Sequence, residues 1–307
     1  MKRIAIFVLV FVMAAGFAIA DNIGFSTAPE GSGSYDSSDY GSSGGAKGTG
    51  ISVGAEAGWI KFQDLGDGFT HLYIMPTLSY DGYLGEALAL NAGLGVPFGI
   101  EPDFWLGVDF DLMLTYNFGN LSISAENALA IPMIPYEWER PYYGWDKDFY
   151  TYSPMFGPLN VAKDNMYPGI KYNLFSGIGT FYFKAVFPVR IIPDPFSNIG
   201  MNFSLGLNGK NGFRFWISET NSLIPKPNFF RALNLFASYN AGSFYGELYV
   251  VIPTYEGGMD STGVEITPKV EFRYANGFRF YVELPLWGIG SQGDTYFGLT
   301  VGAKMSF

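Results

Sequence analysis

Residues 264–274 read Val-Glu-Ile-Thr-Pro-Lys-Val-Glu-Phe-Arg-Tyr. Every even-numbered position of this stretch is apolar or aromatic, and every odd-numbered position is charged or hydroxylated. Successive side chains of a β-strand point to opposite faces, so this alternation predicts a strand with one apolar and one polar face. The same alternation recurs along the chain, at residues 104–115, 181–190 and 278–286.

The length of these segments separates a membrane barrel from a soluble sandwich. Soluble strands average about 5–6 residues, whereas about 9–11 residues are needed to cross a bilayer at a tilt, and the alternating segments reach that length. Longer acidic connections alternate with tight turns near Asp81-Gly82, Gly119-Asn120, Ser176-Gly177, Gly209-Lys210-Asn211, Asn240-Ala241-Gly242 and Ala275-Asn276-Gly277. This asymmetry is typical of outer-membrane barrels. It predicts an all-β, transmembrane, antiparallel up-and-down β-barrel with short periplasmic turns and longer extracellular loops.

We expect about 14 strands in the segment 49–307, with 12 or 16 as alternatives. An even number returns the C-terminus to the periplasmic side, where the N-terminal tail also starts. Tyr80, Tyr116, Tyr172, Tyr239 and Tyr274 precede the tight turns in the apolar phase, which predicts an interfacial aromatic girdle. The expected strands lie near residues 50–61, 69–80, 84–97, 103–116, 120–132, 166–174, 179–191, 199–207, 211–219, 229–239, 243–253, 262–274, 277–286 and 294–307.

The N-terminus has the pattern of an export signal. Lys2 and Arg3 precede an apolar stretch, and Ala18-Ile19-Ala20 forms a small-residue cleavage site. Residues 1–20 are therefore predicted to be a cleaved signal peptide. Removing them takes away two positive charges, so the formal net charge moves from −10 to −12. Residues 21–48 are rich in Gly and Ser and are predicted to form a flexible tail.

Composition excludes several classes of protein. The chain has no Cys and one His, so disulfide frameworks and thiolate metal sites are excluded. Its acidic balance argues against nucleic acid as a partner, because phosphate binding needs clustered Lys and Arg. Charged residues are 15% of the chain and aromatic residues 18%, whereas soluble domains average about 25% charged residues.

The last strand carries a resemblance to a known class. Apolar residues alternate from Phe297 to the terminal Phe307, and the opposite face carries Gly298, Thr300 and Lys304. A terminal Phe in phase with alternating apolar residues resembles the C-terminal signature of bacterial outer-membrane proteins. In that class the signature is read by the barrel-assembly machinery, which the resemblance therefore implies as a partner, together with outer-membrane lipid and a location in the bacterial outer membrane. In size and strand count the chain is similar to monomeric porins.

Charged side chains are predicted to face the lumen, because Arg or Lys facing lipid at mid-depth costs about 2–4 kcal/mol. The inward charges of the first five strands are acidic, and those of strands six to nine are basic, so the wall is expected to carry opposed sectors of charge. Asn127 and Arg231 break the pattern on the lipid phase, and we attribute Asn127 to a register shift or bulge. The predicted lining residues are Glu56, Asp109, Asp111, Glu126, Lys171, Lys184, Arg190, Arg214, Glu247, Glu265, Lys269, Glu271, Arg273, Arg279, Glu283 and Lys304.

The longest connection, residues 133–165, is too aromatic for ordinary disorder. Long loops in compact folds are usually functional or disordered. Folded into the lumen, this loop would narrow the pore and could stack on sugar rings; the alternative is a lid packed on itself above the rim. The candidate constriction or ligand residues are Tyr136, Trp138, Tyr142, Tyr143, Trp145 and Tyr150.

Enzymatic activity is not expected. His71 is predicted to face inward, with Asp109 and Asp111 nearby, but no window resembles the motifs of barrel lipases or proteases. Asp109 and Asp111 share one face and could contribute to a cation site, although lumen lining is the simpler interpretation. No catalytic residue, cofactor or metal is therefore predicted.

The sequence favours a monomeric, porin-like channel for passive diffusion of small hydrophilic solutes or ions. The predicted exterior loops carry more acids than bases, which would concentrate cations and give a mild cation preference. The alternative is a sealed barrel that acts as a surface scaffold or adhesin through its aromatic loop.

Overall fold

The computed structural model describes residues 50–62, 70–84, 87–101, 104–134, 144–145, 152–153, 162–192, 195–224, 227–254, 263–291 and 296–307. The predicted signal peptide and tail lie outside these residues. Among the residues that are described, no helix has the length and apolar character needed to cross a membrane.

The described chain forms 14 antiparallel strands, as the sequence predicts. Each strand pairs with its neighbours in the chain. Their bounds are β1 (Gly50–Phe62), β2 (Thr70–Leu84), β3 (Leu88–Gly95 and Phe98–Glu101), β4 (Trp105–Phe118), β5 (Leu121–Ile134), β6 (Lys163–Phe175), β7 (Gly179–Val186 and Val189–Ile192), β8 (Ile199–Gly209), β9 (Phe213–Ile224), β10 (Asn228–Asn240), β11 (Phe244–Pro253), β12 (Val264–Arg273), β13 (Phe278–Glu283 and Leu286–Ile289) and β14 (Tyr296–Ser306).

The barrel is closed by the pairing of β1 with β14. Their register is continuous from Ser52 opposite Ser306 to Phe62 opposite Tyr296. The backbone N–H of Phe307 donates to the carbonyl of Ile51 at 2.9 Å, so the terminal residue is part of the seam. Closure gives hydrogen-bond partners to the backbone groups of both edge strands. Each of these groups would cost several kcal/mol if it were left unpaired in hydrocarbon.

The turn predicted at Asp81-Gly82 is wrong. Strand β2 runs through these residues to Leu84, and the connection to β3 falls at 85–87. The Nδ2 of Asn91 donates to Asp81 Oδ1 at 2.6 Å across the β2–β3 ladder. The Asp-Gly pair has the composition of a turn, but the pairing of Tyr83 with Ala89 extends the hairpin beyond it.

We call the end of the barrel with the tight turns the short-turn end, and the opposite end the long-loop end. Gly212 and Gly277 have φ values of 85° and 81° at two of the tight turns, a conformation that favours glycine. The connections at the long-loop end are less uniform than expected. After β3 and β9 they span only residues 102–104 and 225–227.

Three strands are interrupted, each time at an apolar residue followed by proline. Proline has no N–H, so it breaks one bond of the ladder. In all three cases the apolar residue donates its backbone N–H to the carbonyl of a proline on the preceding strand. The interrupting proline in turn accepts, through its own carbonyl, the N–H of a glycine on the next strand. All six distances lie between 2.8 and 3.0 Å. The sequence did not predict this repeated unit. Its first copy joins Pro76, Val96-Pro97 and Gly107, its second Pro168, Phe187-Pro188 and Gly200, and its third Pro268, Leu284-Pro285 and Gly298.

The outer face of the barrel is apolar. Such an extensive outward apolar surface is stable only against a partner or hydrocarbon. Tyr116, Tyr172, Tyr239 and Tyr274 are exposed on this face near the short-turn end, where the girdle was predicted, and Tyr80 is half-buried there. Other exposed members of the face are Phe110, Leu114, Ile170, Phe181, Phe183, Leu205, Phe215, Leu248, Val270 and Phe272.

On the inner face, three tyrosine rings lie across glycines of the neighbouring strand. Tyr182 is directly opposite Gly206. The same arrangement joins Tyr73 to Gly58 and Tyr281 to Gly302. A Cβ atom on Gly206 would lie 2.3 Å from Cζ of Tyr182, so only glycine leaves room for the ring.

Gly206→Ala should therefore lower the free energy of unfolding by about 1–3 kcal/mol, because the added methyl group forces the Tyr182 ring out of place. Urea titration of protein refolded in lipid vesicles measures the change. Gly177→Ala is the control, because no atom lies within 4 Å of the Cβ position there. Equal stability of the two variants would contradict the packing of Tyr182 on Gly206.

Candidate functional site

The strand register places all of the predicted charges, eight acids and eight bases, on the inner face of the barrel. Burial shows which face of each strand points inward. Small polar residues of this face such as Ser52, Ser79 and Ser122 are buried, whereas their apolar neighbours in the strand are exposed. The charges fall into three arcs of the wall.

The acidic arc spans β1 to β5 and contains Glu56, Asp109, Asp111 and Glu126. Asp81 also lies on this face, and the sequence reasoning missed it because it read Asp81 as a turn residue. Glu56 accepts hydrogen bonds from the hydroxyl groups of two tyrosines on other strands. Tyr281 donates at 2.5 Å and Tyr73 at 3.2 Å. Asp109 lies within electrostatic range of Asp111 and Glu56.

The basic arc spans β6 to β9 and contains Lys171, Lys184, Arg190 and Arg214. Lys171 and Lys184 are directly opposite each other on β6 and β7. The Nζ atom of Lys171 also lies 4.3 Å from the centroid of the Tyr182 ring. Like charges directly opposite each other on one sheet face are destabilising. The repulsion between the two ammonium groups is therefore costly unless neighbouring groups, water or anions offset it.

The paired arc spans β11 to β14, and here acids and bases contact one another. Lys269 lies 4.0 Å from both Glu247 and Glu283. Arg273 contacts Glu271 at 2.5 Å, and Arg279 lies 3.9 Å from the same carboxylate. The arc also contains Glu265 and Lys304; Glu265 accepts a hydrogen bond from Thr267, and Lys304 is directly opposite Arg279.

Tyrosines join the paired arc to the wall. The Tyr245 hydroxyl donates to Glu247 at 2.6 Å, and the guanidinium of Arg273 lies 4.8 Å from the centroid of the same ring. Lys269 lies 4.8 Å from the centroid of Tyr281. The sequence alternation assigns these rings to the polar phase, but it gave no sign of their contacts.

An uncharged cluster fills the wall between the basic and paired arcs. Asn234 on β10 donates to Ser218 at 3.2 Å and to Thr220 at 3.0 Å. Tyr249 donates to the Oδ1 of Asn234 at 3.3 Å. Beside them Trp216 stacks on Phe236, with ring centroids 5.3 Å apart. The Asn234 amide is fully hydrogen-bonded and buried, so this cluster ties β9, β10 and β11 together.

The arcs differ in placement from the predicted opposed sectors. The acidic and basic arcs meet at β5 and β6, so they are neighbours along the wall. Only part of each arc faces the other, because β1 lies seven strands from β8 in a ring of 14. Glu56 on β1 is thereby across the lumen from the strands that carry Lys184 and Arg214.

The bulge predicted at Asn127 is wrong. The β4–β5 register is continuous through Glu126, Asn127 and Ala128, and Asn127 stays on the outer face. Its Nδ2 donates to Asp164 Oδ1 at 2.5 Å, so the polar group is paired within the wall. Arg231 also lies on the outer face, as predicted, near the long-loop end of β10.

Most of the aromatic loop candidates fall outside the described residues, namely Tyr136, Trp138, Tyr142, Tyr143 and Tyr150. Trp145 belongs to a two-residue strand, Gly144–Trp145, that pairs with Tyr152–Ser153. His71 lies on β2 opposite Ile60. Within the described part of the chain, no group of three or more His, Asp or Glu side chains has the arrangement of a metal site.

A closed barrel with an apolar exterior, a tyrosine girdle and a charged interior defines a transmembrane β-barrel of the outer-membrane type. No protein-family model and no curated protein matches the chain. Among solved structures, a variant of the Rhodopseudomonas blastica porin is similar, with a TM-score of 0.44 and 8% identity over 84% of this chain and 100% of that chain. Another variant of that porin has a TM-score of 0.45 and 8% identity, over 84% and 100% of the two chains. A third structure, described as "Asymmetric conductivity of engineered proteins", has a TM-score of 0.44 and 8% identity, over 85% and 100%.

Proposed function

We propose that this protein is an outer-membrane channel for passive diffusion of small hydrophilic solutes and ions. The observation that carries the proposal is the like-charge neighbours on the inner wall. Lys171 is directly opposite Lys184, and Asp109 and Asp111 share one face of β4. In a dry lumen such neighbours would repel strongly, whereas water and mobile ions reduce the interaction to about 1 kcal/mol. A water-filled lumen explains their tolerance.

A mild cation preference follows from the charge of the whole chain. Acids outnumber bases by 28 to 18. On the inner wall the two kinds nearly balance, so the excess acid lies elsewhere in the chain. A negative mouth would raise the local cation concentration, while the balanced wall keeps the selectivity weak.

The second candidate is a sealed barrel that serves as a surface scaffold or adhesin. The paired arc favours it, because the nearly buried carboxylate of Glu271 lies between Arg273 and Arg279 and offsets part of their charge. If all charges of the inner wall were paired in this way, the lumen could be stable without water. The ion pairs named above lie on β11–β14, whereas the acidic and basic arcs hold like charges side by side. These like-charge neighbours are the reason that we favour the channel.

The location and partners belong to the same proposal. A transmembrane barrel of this type would reside in the bacterial outer membrane, with outer-membrane lipid around it. The apolar face of β14, which continues to Phe307 at the seam, would be read by the barrel-assembly machinery. We propose a monomer, because the apolar outer face shows no wide polar interruption among the described strands.

Reversal potentials in a salt gradient test the selectivity. The native channel should favour cations weakly, and the variant that combines Asp109→Asn with Asp111→Asn should shift toward anions, because the acidic arc loses two charges. The combination of Asp164→Asn with Glu219→Gln is the matched control, since it removes two charges from the outer face. Anion preference in the native channel, or equal shifts in both variants, would reject the role of the acidic arc.

A further inference from the structure

One row of the inner wall is aromatic across five strands. Strand register places Tyr182, Gly206, Trp216, Phe236 and Tyr249 directly opposite one another, from β7 to β11. The ring of Tyr182 lies across Gly206, so an aromatic ring is present over each of the five strands. The sequence alternation assigns polar side chains to this face, and a tryptophan stacked on a phenylalanine departs from that pattern.

Trp216 is the ring of this row with exposed surface. Tyr182, Phe236 and Tyr249 are each 5% exposed or less, whereas Trp216 is half-buried. Phe236 covers one face of the indole, with the ring centroids 5.3 Å apart and the planes 10° apart. Tyr249 packs against the indole at a tilt, with the centroids 5.7 Å apart. The exposed part of the indole therefore lies away from Phe236 and offers an apolar surface to the lumen.

The rows on either side of the aromatic row are polar. Each of the two rows places hydrogen-bonding side chains on β8, β9 and β10, next to the strand that carries Trp216 or on that strand itself. Three of these side chains, Ser204, Asn208 and Arg214, are half-buried and so can be reached from the lumen. The full set is Asn208, Arg214 and Ser238 toward the short-turn end, and Ser204, Ser218 and Asn234 toward the long-loop end.

The charge around Trp216 is mainly positive. Arg214 lies two residues away on the same face of β9, and Lys184 lies on β7 in the row toward the long-loop end. No Asp or Glu is described on the inner face of β7 to β10. Glu247 lies in the same row as Arg214, two strands further along, and Lys269 at 4.0 Å offsets part of its charge. An anionic group beside Trp216 is therefore favoured.

We propose that Trp216 and Arg214 form a binding site for a sugar ring that carries a carboxylate, as in a uronic acid. A pyranose ring has C–H groups on its faces and hydroxyl groups at its rim, which matches an apolar ring bordered by polar rows. The sugar face stacks on the indole, its hydroxyl groups meet Ser204 and Asn208, and Arg214 binds the carboxylate. A planar aromatic acid would also stack, but it has no hydroxyl groups for the polar rows.

This site names a class of solute for the proposed channel, and that consequence rests on the proposed function. Binding itself requires only that solute can enter the lumen. A failure of the proposed function would appear as a barrel that inserts in bilayers without conducting, whether or not it binds the sugar.

Saturation-transfer NMR detects weak binding of small solutes and tests the site without requiring conduction. Residues 21–307 are refolded in a detergent without a sugar headgroup and titrated with glucuronate, gluconate, glucose and benzoate. Glucuronate has both the ring and the carboxylate, gluconate has the carboxylate on an open chain, and glucose has the ring alone. Glucuronate should bind about three- to tenfold more tightly than gluconate because of ring stacking. It should bind about tenfold or more tightly than glucose because of the charge-assisted contact.

Two variants separate the parts of the site. Trp216→Leu should remove the preference for glucuronate over gluconate, and Arg214→Gln should remove the preference for glucuronate over glucose. Trp59→Leu is the matched control, because it removes a half-buried indole from the outer face, where Trp59 packs against Phe297. If Trp216→Leu does not refold, Trp216→Phe replaces it and should weaken glucuronate binding by about two- to threefold, since the smaller ring stacks less well.

Absence of glucuronate binding, or equal binding of glucuronate and gluconate, would overturn the site. Equal effects of the substitutions at Trp216 and Trp59 would do the same. Glucose bound as tightly as glucuronate would contradict the role of Arg214, and benzoate bound more tightly than glucuronate would contradict the assignment to a sugar.

Discussion

Phe110→Arg should reduce the free energy of unfolding in a lipid bilayer by about 2–4 kcal/mol, the cost of placing a cation on the lipid face near mid-depth. Phe110 is 37% exposed on the outer face of β4. It pairs with Leu94 on β3 and Leu129 on β5, so the substituted guanidinium would be surrounded by apolar side chains and lipid. Urea titration of protein refolded in phospholipid vesicles gives the free energy directly.

Asp111→Arg is the matched control for this prediction. It introduces the same cation one residue further along β4, on the opposite face of the strand, where the wall already carries charge. We expect a much smaller loss of stability together with a change in ion selectivity. A larger loss in Asp111→Arg than in Phe110→Arg would mean that the two faces of the strand are assigned the wrong way round.

Glu271→Leu should be the most destabilising single change within the paired arc, at about 3–5 kcal/mol. The Glu271 residue is 5% exposed and contacts Arg273 at 2.5 Å and Arg279 at 3.9 Å. Removing the carboxylate leaves two guanidinium groups close together with little solvent to screen them. The loss is measured by the same urea titration.

The cause of that loss can be separated from a simple packing defect. If uncompensated charge is responsible, adding Arg273→Leu and Arg279→Leu to Glu271→Leu should recover much of the stability, because well-packed apolar groups can replace a buried ion network. A triple variant less stable than Glu271→Leu alone would contradict the electrostatic explanation.

The alternation of the sequence was sufficient to predict the barrel. In a strand that separates lipid from a polar interior, one phase must be apolar, and this requirement fixes which residues face outward. For this reason the phase of residues such as Glu56, Lys184 and Glu247 follows from the sequence alone. The same alternation predicts about 14 strands, with 12 or 16 as alternatives, and the structure has 14.

The sequence could not predict which side chains contact one another across strands. Alternation assigns Tyr281 to the polar face, but it cannot show that the ring crosses Gly302 and reaches Glu56, since these residues meet only when β14 closes the barrel. Side chains that act in pairs across strands are fixed by register, which the periodicity of one strand does not contain.

Local composition also misled in particular places. Asp81-Gly82 has the residues of a turn but lies inside β2, because Tyr83 and Leu84 continue the pairing with β3. Asn127 on an apolar phase suggested a bulge, whereas the neighbouring strand supplies Asp164 as its partner. In both cases a contact distant in sequence overrides the local signal.

Single-channel recording in planar lipid bilayers tests the central claim, that the barrel encloses a water-filled path across the membrane. The chain without its predicted signal peptide (residues 21–307), refolded in detergent and added to one side, should produce stable conductance steps of uniform size. Repeated insertion of folded protein without any conductance would contradict the channel and support the sealed barrel instead.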